Sequence, residues 1–104
     1  MALKTRLLNK TVATAGTRER LTDVSKKVAA IVIQALPGNT GTVYVGDNQV
    51  SATNGLALTP GSNITFSSNQ SGWADEKISL KDIWLDVGTG ADKVIGIYLE
   101  KDDD

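Results

Sequence analysis

Asp82 and Asp86, four residues apart in the run ISLKDIWLDVG, are the carboxylates placed to act as a general acid and base pair. On an extended strand that spacing is roughly 13 Å, at about 3.3 Å per residue. Glycosidic cleavage uses a narrower gap of ~5 to 9.5 Å. The chain has no histidine and no cysteine, so neither a Ser-His-Asp nor a Cys-His arrangement can be assembled, and zinc would find oxygen ligands alone. The histidine-dependent metal chemistry of cupin-like sandwiches lacks its ligand as well. We read the chain as non-enzymatic.

Binding chemistry is the next candidate. Residues 86–92, DVGTGAD, alternate oxygen donors with glycines in a manner that resembles a calcium loop. They lack the dense carboxylates and terminal bidentate Glu of an EF-hand, and a glycine-rich hairpin linking the last two strands accounts for them. Gly46-Asp47-Asn48 reads as a tight turn. The sequons at Asn9 and Asn63 matter only on a secretory route. No cofactor, metal or catalytic residue is assigned. Trp73, in a polar stretch with Asn69, Gln70 and Asp75, could stack against a sugar ring, which keeps a carbohydrate-binding or tail-fibre module as the alternative function. A lone loop tryptophan also serves as a lid over a core edge.

The elements that would carry such residues are short and β-rich. Residues 28–35, 42–45, 49–51, 56–58 and 63–67 read as strands. Turn clusters separate them: Pro37-Gly38-Asn39, Gly46-Asp47-Asn48, Asn54-Gly55 and Pro60-Gly61, whose residues preset φ or tolerate positive φ. Residues 28–35 are apolar on both parities, the pattern of a strand covered on both sides. Ile64 and Phe66 alternate with Asn63, Thr65 and Ser67, the pattern of a sheet with one wet face. Ile78 and Leu80 share one parity while Ile83 and Leu85 share the other, so a bulge or corner is expected near Lys81 and Asp82. With a short strand at 18–21 and a closing strand at 93–100, about eight strands and no helix result. The expected fold is an all-β, antiparallel β-sandwich of jelly-roll type. The expected organisation is an extended N-terminal arm over 1–17, a sandwich domain over 18–100 and a charged tail over 101–104.

At 104 residues and 11.0 kDa, with 40% hydrophobic and 22% charged residues, the chain suits one small folded domain. A domain this size without disulfides must be held by packing or by partners. No apolar run is long enough to span a bilayer, and the opening MALKTRLLNK has no continuous apolar region of the signal-peptide kind. Charge is strongly divided. Residues 1–27 hold seven basic residues against Glu19 and Asp23, a net +5, while residues 28–104 hold four lysines against ten acids, a net −6. A basic arm could dock on an acidic surface of a neighbouring copy or larger scaffold, or its lysines could simply blunt an edge strand. A sequence pI of about 5.3 and no basic run interleaved with aromatics argue against nucleic acid as a partner. A membrane is not expected either.

The string IVIQALPGNTGTVYVGDNQVSATNGLALTPG, followed by SNITF and then ISLKDIWLDVGTGADKVIGIYLE, resembles a recurrent class of small virion proteins of tailed bacteriophages. The shared elements are a strand ending at a Pro-Gly-Asn turn (36–39), a VYVGD strand (43–47), a Thr-Asn-Gly turn (53–55) and a Pro-Gly strand start (60–65). An L-x-D-I-aromatic-L-D strand (80–86) and a closing V-x-x-x-Y-L strand (94–99) complete the pattern. The resemblance spans about residues 18–100 and implies a sandwich in a phage particle, most often a capsid decoration or cement protein. It implies a place on the virion's capsid surface after synthesis in the host cytoplasm, and the major capsid protein or another virion protein as partner.

Contact residues follow from parity. Val43, Val45, Ile83, Leu85, Ile95, Ile97 and Leu99 are assigned to the interior, which sends Tyr44, Trp84 and Tyr98 outward as interface residues. Lys4, Arg6 and Lys10 are the arm's candidate contacts. A homo-oligomer, with a trimer favoured, would cover the second apolar face of the 28–35 strand.

Overall fold

The computed structural model describes residues 3–67 and 78–101. Among them run ten strands: β1 (Leu3–Thr11), β2 (Glu19–Arg20), β3 (Lys27–Val28), β4 (Ala30–Ala35), β5 (Val43–Gly46), β6 (Leu56–Leu58), β7 (Asn63–Ser67), β8 (Ile78–Ser79), β9 (Trp84–Val87) and β10 (Lys93–Lys101). A single 3₁₀ turn spans Leu80–Asp82. The strands form two four-stranded sheets and a ribbon. The front sheet has the order β1-β10-β4-β7, the back sheet β2-β9-β5-β6, and β3 pairs with β8.

All pairings are antiparallel, and they nest. β1 pairs with β10, β2 with β9, β3 with β8, β4 with β7 and β5 with β6. The chain is thus one long hairpin whose two arms travel together, rolled so that β10 also meets β4 and β9 also meets β5. Without the small β3–β8 ribbon, the eight remaining strands have the interleaved order of a jelly roll.

The inner faces of the two sheets supply the core. Ile31, Ile33 and Ala35 of β4 and Val94 of β10 meet Val43 and Val45 of β5 and Leu85 and Val87 of β9, all at or near zero exposure. The register change expected near Lys81 is the 3₁₀ turn, which lets Leu80 and Ile83 both point inward although they differ in parity. Residues 49–51 do not form a ladder strand. They belong to the turn at the apex of the hairpin, where Val50 is buried and Ser51 makes an isolated bridge with Asn54.

Three expectations are corrected. Residues 3–11 are not an arm directed at a neighbour: β1 pairs residue for residue with β10 of its own chain, from Leu3 opposite Lys101 to Thr11 opposite Lys93. Val12 then enters the core. The second correction concerns β10, where Val94, Gly96 and Tyr98 face inward and Ile95, Ile97 and Leu99 face out. Both parities of β10 are apolar, so the pattern could not choose between them. Gly96 does choose: a Cβ there would stand 3.4 Å from Leu8 Cγ and 3.3 Å from the Val32 carbonyl oxygen, inside the packed layer. Third, residues 88–92 are not a hairpin, because β9 and β10 lie in different sheets. They cross between layers through Ala91, which holds φ at 70°.

Three of the basic N-terminal residues find carboxylate partners in their own chain. Glu100 receives Arg6 Nε at 2.7 Å and Lys26 Nζ at 2.6 Å, while Lys10 Nζ meets Glu19 Oε1 at 2.7 Å. The bonds from Lys26 and Arg6 hold the Glu100 carboxyl down at about 2 from its ordinary 4.5.

A depressed carboxyl stabilises the fold fully above its unfolded value and loses that contribution as pH falls through the folded one. The melting temperature should therefore drop on acidification from pH 4.5 toward about 2, and less steeply in Glu100→Gln, as followed by circular dichroism. Equal slopes would remove Glu100 from the acid response. At Ala91, a left-handed backbone strains an L residue by roughly 1 kcal/mol. Ala91→Gly should raise unfolding free energy by up to about that amount in a denaturant titration, offset in part by the looser unfolded chain.

Candidate functional site

Two surfaces concentrate groups that could meet a partner, one on the outer side of each sheet. On the front sheet, pairing aligns Leu7, Ile97, Val32 and Thr65 in one row across the four strands. Leu7 is 62%, Ile97 46% and Val32 40% exposed, so three aliphatic side chains lie side by side in solvent. The row above is Thr5, Leu99, Ala30 and Ser67, and the row below is Asn9, Ile95, Gln34 and Asn63. None of these twelve positions carries a charge. β4 is the strand expected to be covered on both sides. In the single chain its outer side, at Val32, is open.

On the back sheet the outer side centres on Trp84. It is half-buried on β9, opposite Arg20 of β2 on one flank and Gly46 of β5 on the other. The Arg20 guanidinium stands 5.0 Å from the indole centroid, a cation–π distance. Beside the indole opens a cleft of about 530 Å³ lined by Gly16, Thr17, Arg18, Asn48, Gln49 and Trp84. Both walls are anchored. Asp86, 3% exposed, accepts the Gly16 N–H at 3.0 Å and its own neighbour Val87 N–H at 2.8 Å through Oδ1. Across the cleft, Asp47 Oδ1 accepts the Gln49 N–H at 2.9 Å, and Asn54 Nδ2 donates to the Gln49 carbonyl at 3.0 Å.

These bonds also explain the aspartates that looked like ligands. Asp92, 5% exposed, accepts Thr40 N–H and Gly41 N–H on its two oxygens, so it ties the crossing between sheets to the turn after β4. Asp86 is a loop anchor. Asp82 lies on the 3₁₀ turn and is exposed.

The residues expected at an interface are therefore dispersed. Trp84 and Tyr44 stand on the outer side of the back sheet, both half-buried. Tyr98 is a correction: it packs against the core from the front sheet, with Lys26 Nζ 5.9 Å from its ring centroid. Arg6 and Lys10 are engaged in the ion pairs with Glu100 and Glu19, and Lys4 lies exposed on β1. Trp73, Asn69, Gln70 and Asp75 lie outside the described residues. Sequence reasoning did not find the Leu7-Ile97-Val32 row, since its members are far apart in the chain and become neighbours only through pairing. It also missed the amides of Asn48, read as part of a turn, and of Gln49, read as the start of a strand. Comparison with family models, curated proteins and solved structures finds no match to this chain.

Removing the Asp86 carboxylate leaves two backbone donors without their acceptor, one of them buried. Asp86→Ala should cost about 2 kcal/mol of unfolding free energy and speed amide hydrogen exchange at Gly16 selectively over the core strands. Unchanged exchange at Gly16 would show that the loop is held by something else.

Proposed function

We propose that this chain is a non-enzymatic structural protein of a tailed-bacteriophage particle. In this reading it is a decoration or cement protein that binds the capsid surface and stabilises the shell by bridging subunits. The observation that carries the reading is the outer side of the front sheet, where Leu7, Ile97 and Val32 are exposed at the centre of twelve uncharged positions. Isolated exposed apolar residues are ordinary, but a contiguous aliphatic patch bordered by neutral polar side chains has the composition of an interface. The jelly-roll topology is compatible, since viral capsid proteins use it, and lectins and cupins use it as well.

The occupant of that face is a second copy of the chain. The uncharged centre of the face carries no sign to repel its own image, and two sheets pack face to face through such interdigitating side chains. Four strands at about 4.8 Å spacing and some six residues at about 3.3 Å give a face of roughly 20 by 20 Å. Two of them bury roughly 800 Å², short of the ~1,000 Å² that a specific interface clears. Association through this face alone is weak. It becomes firm when a shell holds copies at high local concentration; a face that meets its own image closes a two-fold pair, so the trimer expected from the sequence would need a further, heterologous contact.

Purified protein incubated with expanded phage heads should appear as regular density at subunit junctions, and density absent from every class of head would overturn the reading. Ile97→Lys places a charge in the centre of the neutral face. It should change folding stability by about 0.5 kcal/mol or less, while self-association and head occupancy fall at least tenfold. Full occupancy by the variant would move the contact elsewhere on the molecule.

A further inference from the structure

The geometry points to a neutral-saccharide site in the cleft over Trp84. The site does not depend on the assembly reading, because it lies on the opposite sheet from the uncharged face.

Stacking requires a free aromatic face. Arg20 takes one flank of the indole at 5.0 Å and is not among the residues that line the cleft, which opens instead toward Asn48 and Gln49. On that side the cross-strand position is Gly46, which the buried Val50 side chain covers, so the recess lies over the indole toward residues 16–18 and 48–49. A pyranose ring presents a patch of axial C–H groups that packs on such an aromatic surface, and the indole is the largest one available to a protein. The recess of about 530 Å³ falls within the range of small-ligand sites.

The polar lining selects among ligands. A sugar hydroxyl both donates and accepts, and the carboxamides of Asn48 and Gln49 can do both. The Thr17 hydroxyl has the same dual capacity, and Arg18 adds donors. Among the described residues no carboxylate pairs with Arg18. Yet the cleft does not favour an anion. Arg18 is the one charged residue of the lining, set among two carboxamides, a hydroxyl and the indole, so the cleft holds no cluster of cations. A ligand without net charge fits this mostly neutral lining, whereas nucleic-acid binding rests on a concentrated positive field.

Preorganisation is the remaining argument. The loop bearing Thr17 and Arg18 is tied through Gly16 to Asp86, and the turn bearing Asn48 and Gln49 is tied through Asp47, Asn54 and the buried Val50. Both walls are set before a ligand arrives, so little ordering opposes binding. The cleft is open, so affinity for one short oligosaccharide is on the order of 1 mM.

The test is a titration of the full chain by nitrogen-proton correlation spectroscopy, with the Trp84 indole N–H assigned by comparison with Trp73→Phe. The probes are maltotetraose, cellotetraose and chitotetraose, with a glucuronate-containing tetrasaccharide and oligothymidylate as controls. At least one neutral probe should shift the Trp84 indole resonance saturably. Asn48→Ala and Gln49→Ala, substitutions at exposed turn positions, should each weaken that binding about fivefold or more while leaving the melting temperature in place. Three results would overturn the proposal: no response to any neutral probe at about twentyfold above the expected dissociation constant, binding indifferent to both amide variants, or a response confined to the glucuronate or thymidylate control. Loss of saccharide binding with intact head decoration would sink this site alone, and the converse would sink the assembly reading alone.

Discussion

The nested pairing of early strands with late ones is the constraint from which the rest of the molecule follows. Each pairing brings together residues separated by a growing length of chain, up to Leu3 against Lys101, and only the apex pair, β5 with β6, is local. Long-range β contacts of this kind repay their loop-closure entropy only when the whole roll has closed. The core is correspondingly shared. Val12, Leu21 and Val28 from the first arm and Leu80, Leu85 and Val94 from the second lie in one cluster, so neither arm has a core of its own.

Electrostatics complete the closure at the chain's two ends. Glu100 near the end of β10 draws together Arg6 of β1 and Lys26 just before β3. Exposed ion pairs contribute little singly, but here one carboxylate joins two separate segments. The division of charge along the chain, basic at the start and acidic afterward, is in part an intramolecular complement between arms that lie side by side.

The same roll gives the two outer surfaces their different characters. β10 is apolar on both parities, and placing it in the interior of the front sheet turns Ile97 outward beside Leu7 and Val32. The back sheet receives Trp84 between an arginine on one neighbour and a glycine covered by Val50 on the other, with a recess between the indole, the 16–18 segment and the turn at 48–49. An apolar plane suits a flat protein surface. A recess edged by amides suits a small polar ligand.

Alternation and turn chemistry were enough to read an all-β chain of about eight principal strands, the inward parity of Val43, Val45, Ile83 and Leu85, and a break near Lys81, because those signals are local: a pleat places neighbours on opposite sides, and Gly, Asn and Pro restrict their own φ. They could not settle β10, whose two faces are equally apolar, until the missing side chain of Gly96 met Leu8 and Val32. Nor could they show that residues 3–11 complete their own sheet, since an extended basic segment looks the same whether it pairs with residues 93–101 of its own chain or of another. The aliphatic row and the Trp84 cleft belong to this second class. Side-chain chemistry is written residue by residue, but a surface is made by residues brought together across strands, and which strands become neighbours is decided by burial of the whole core rather than by any one segment.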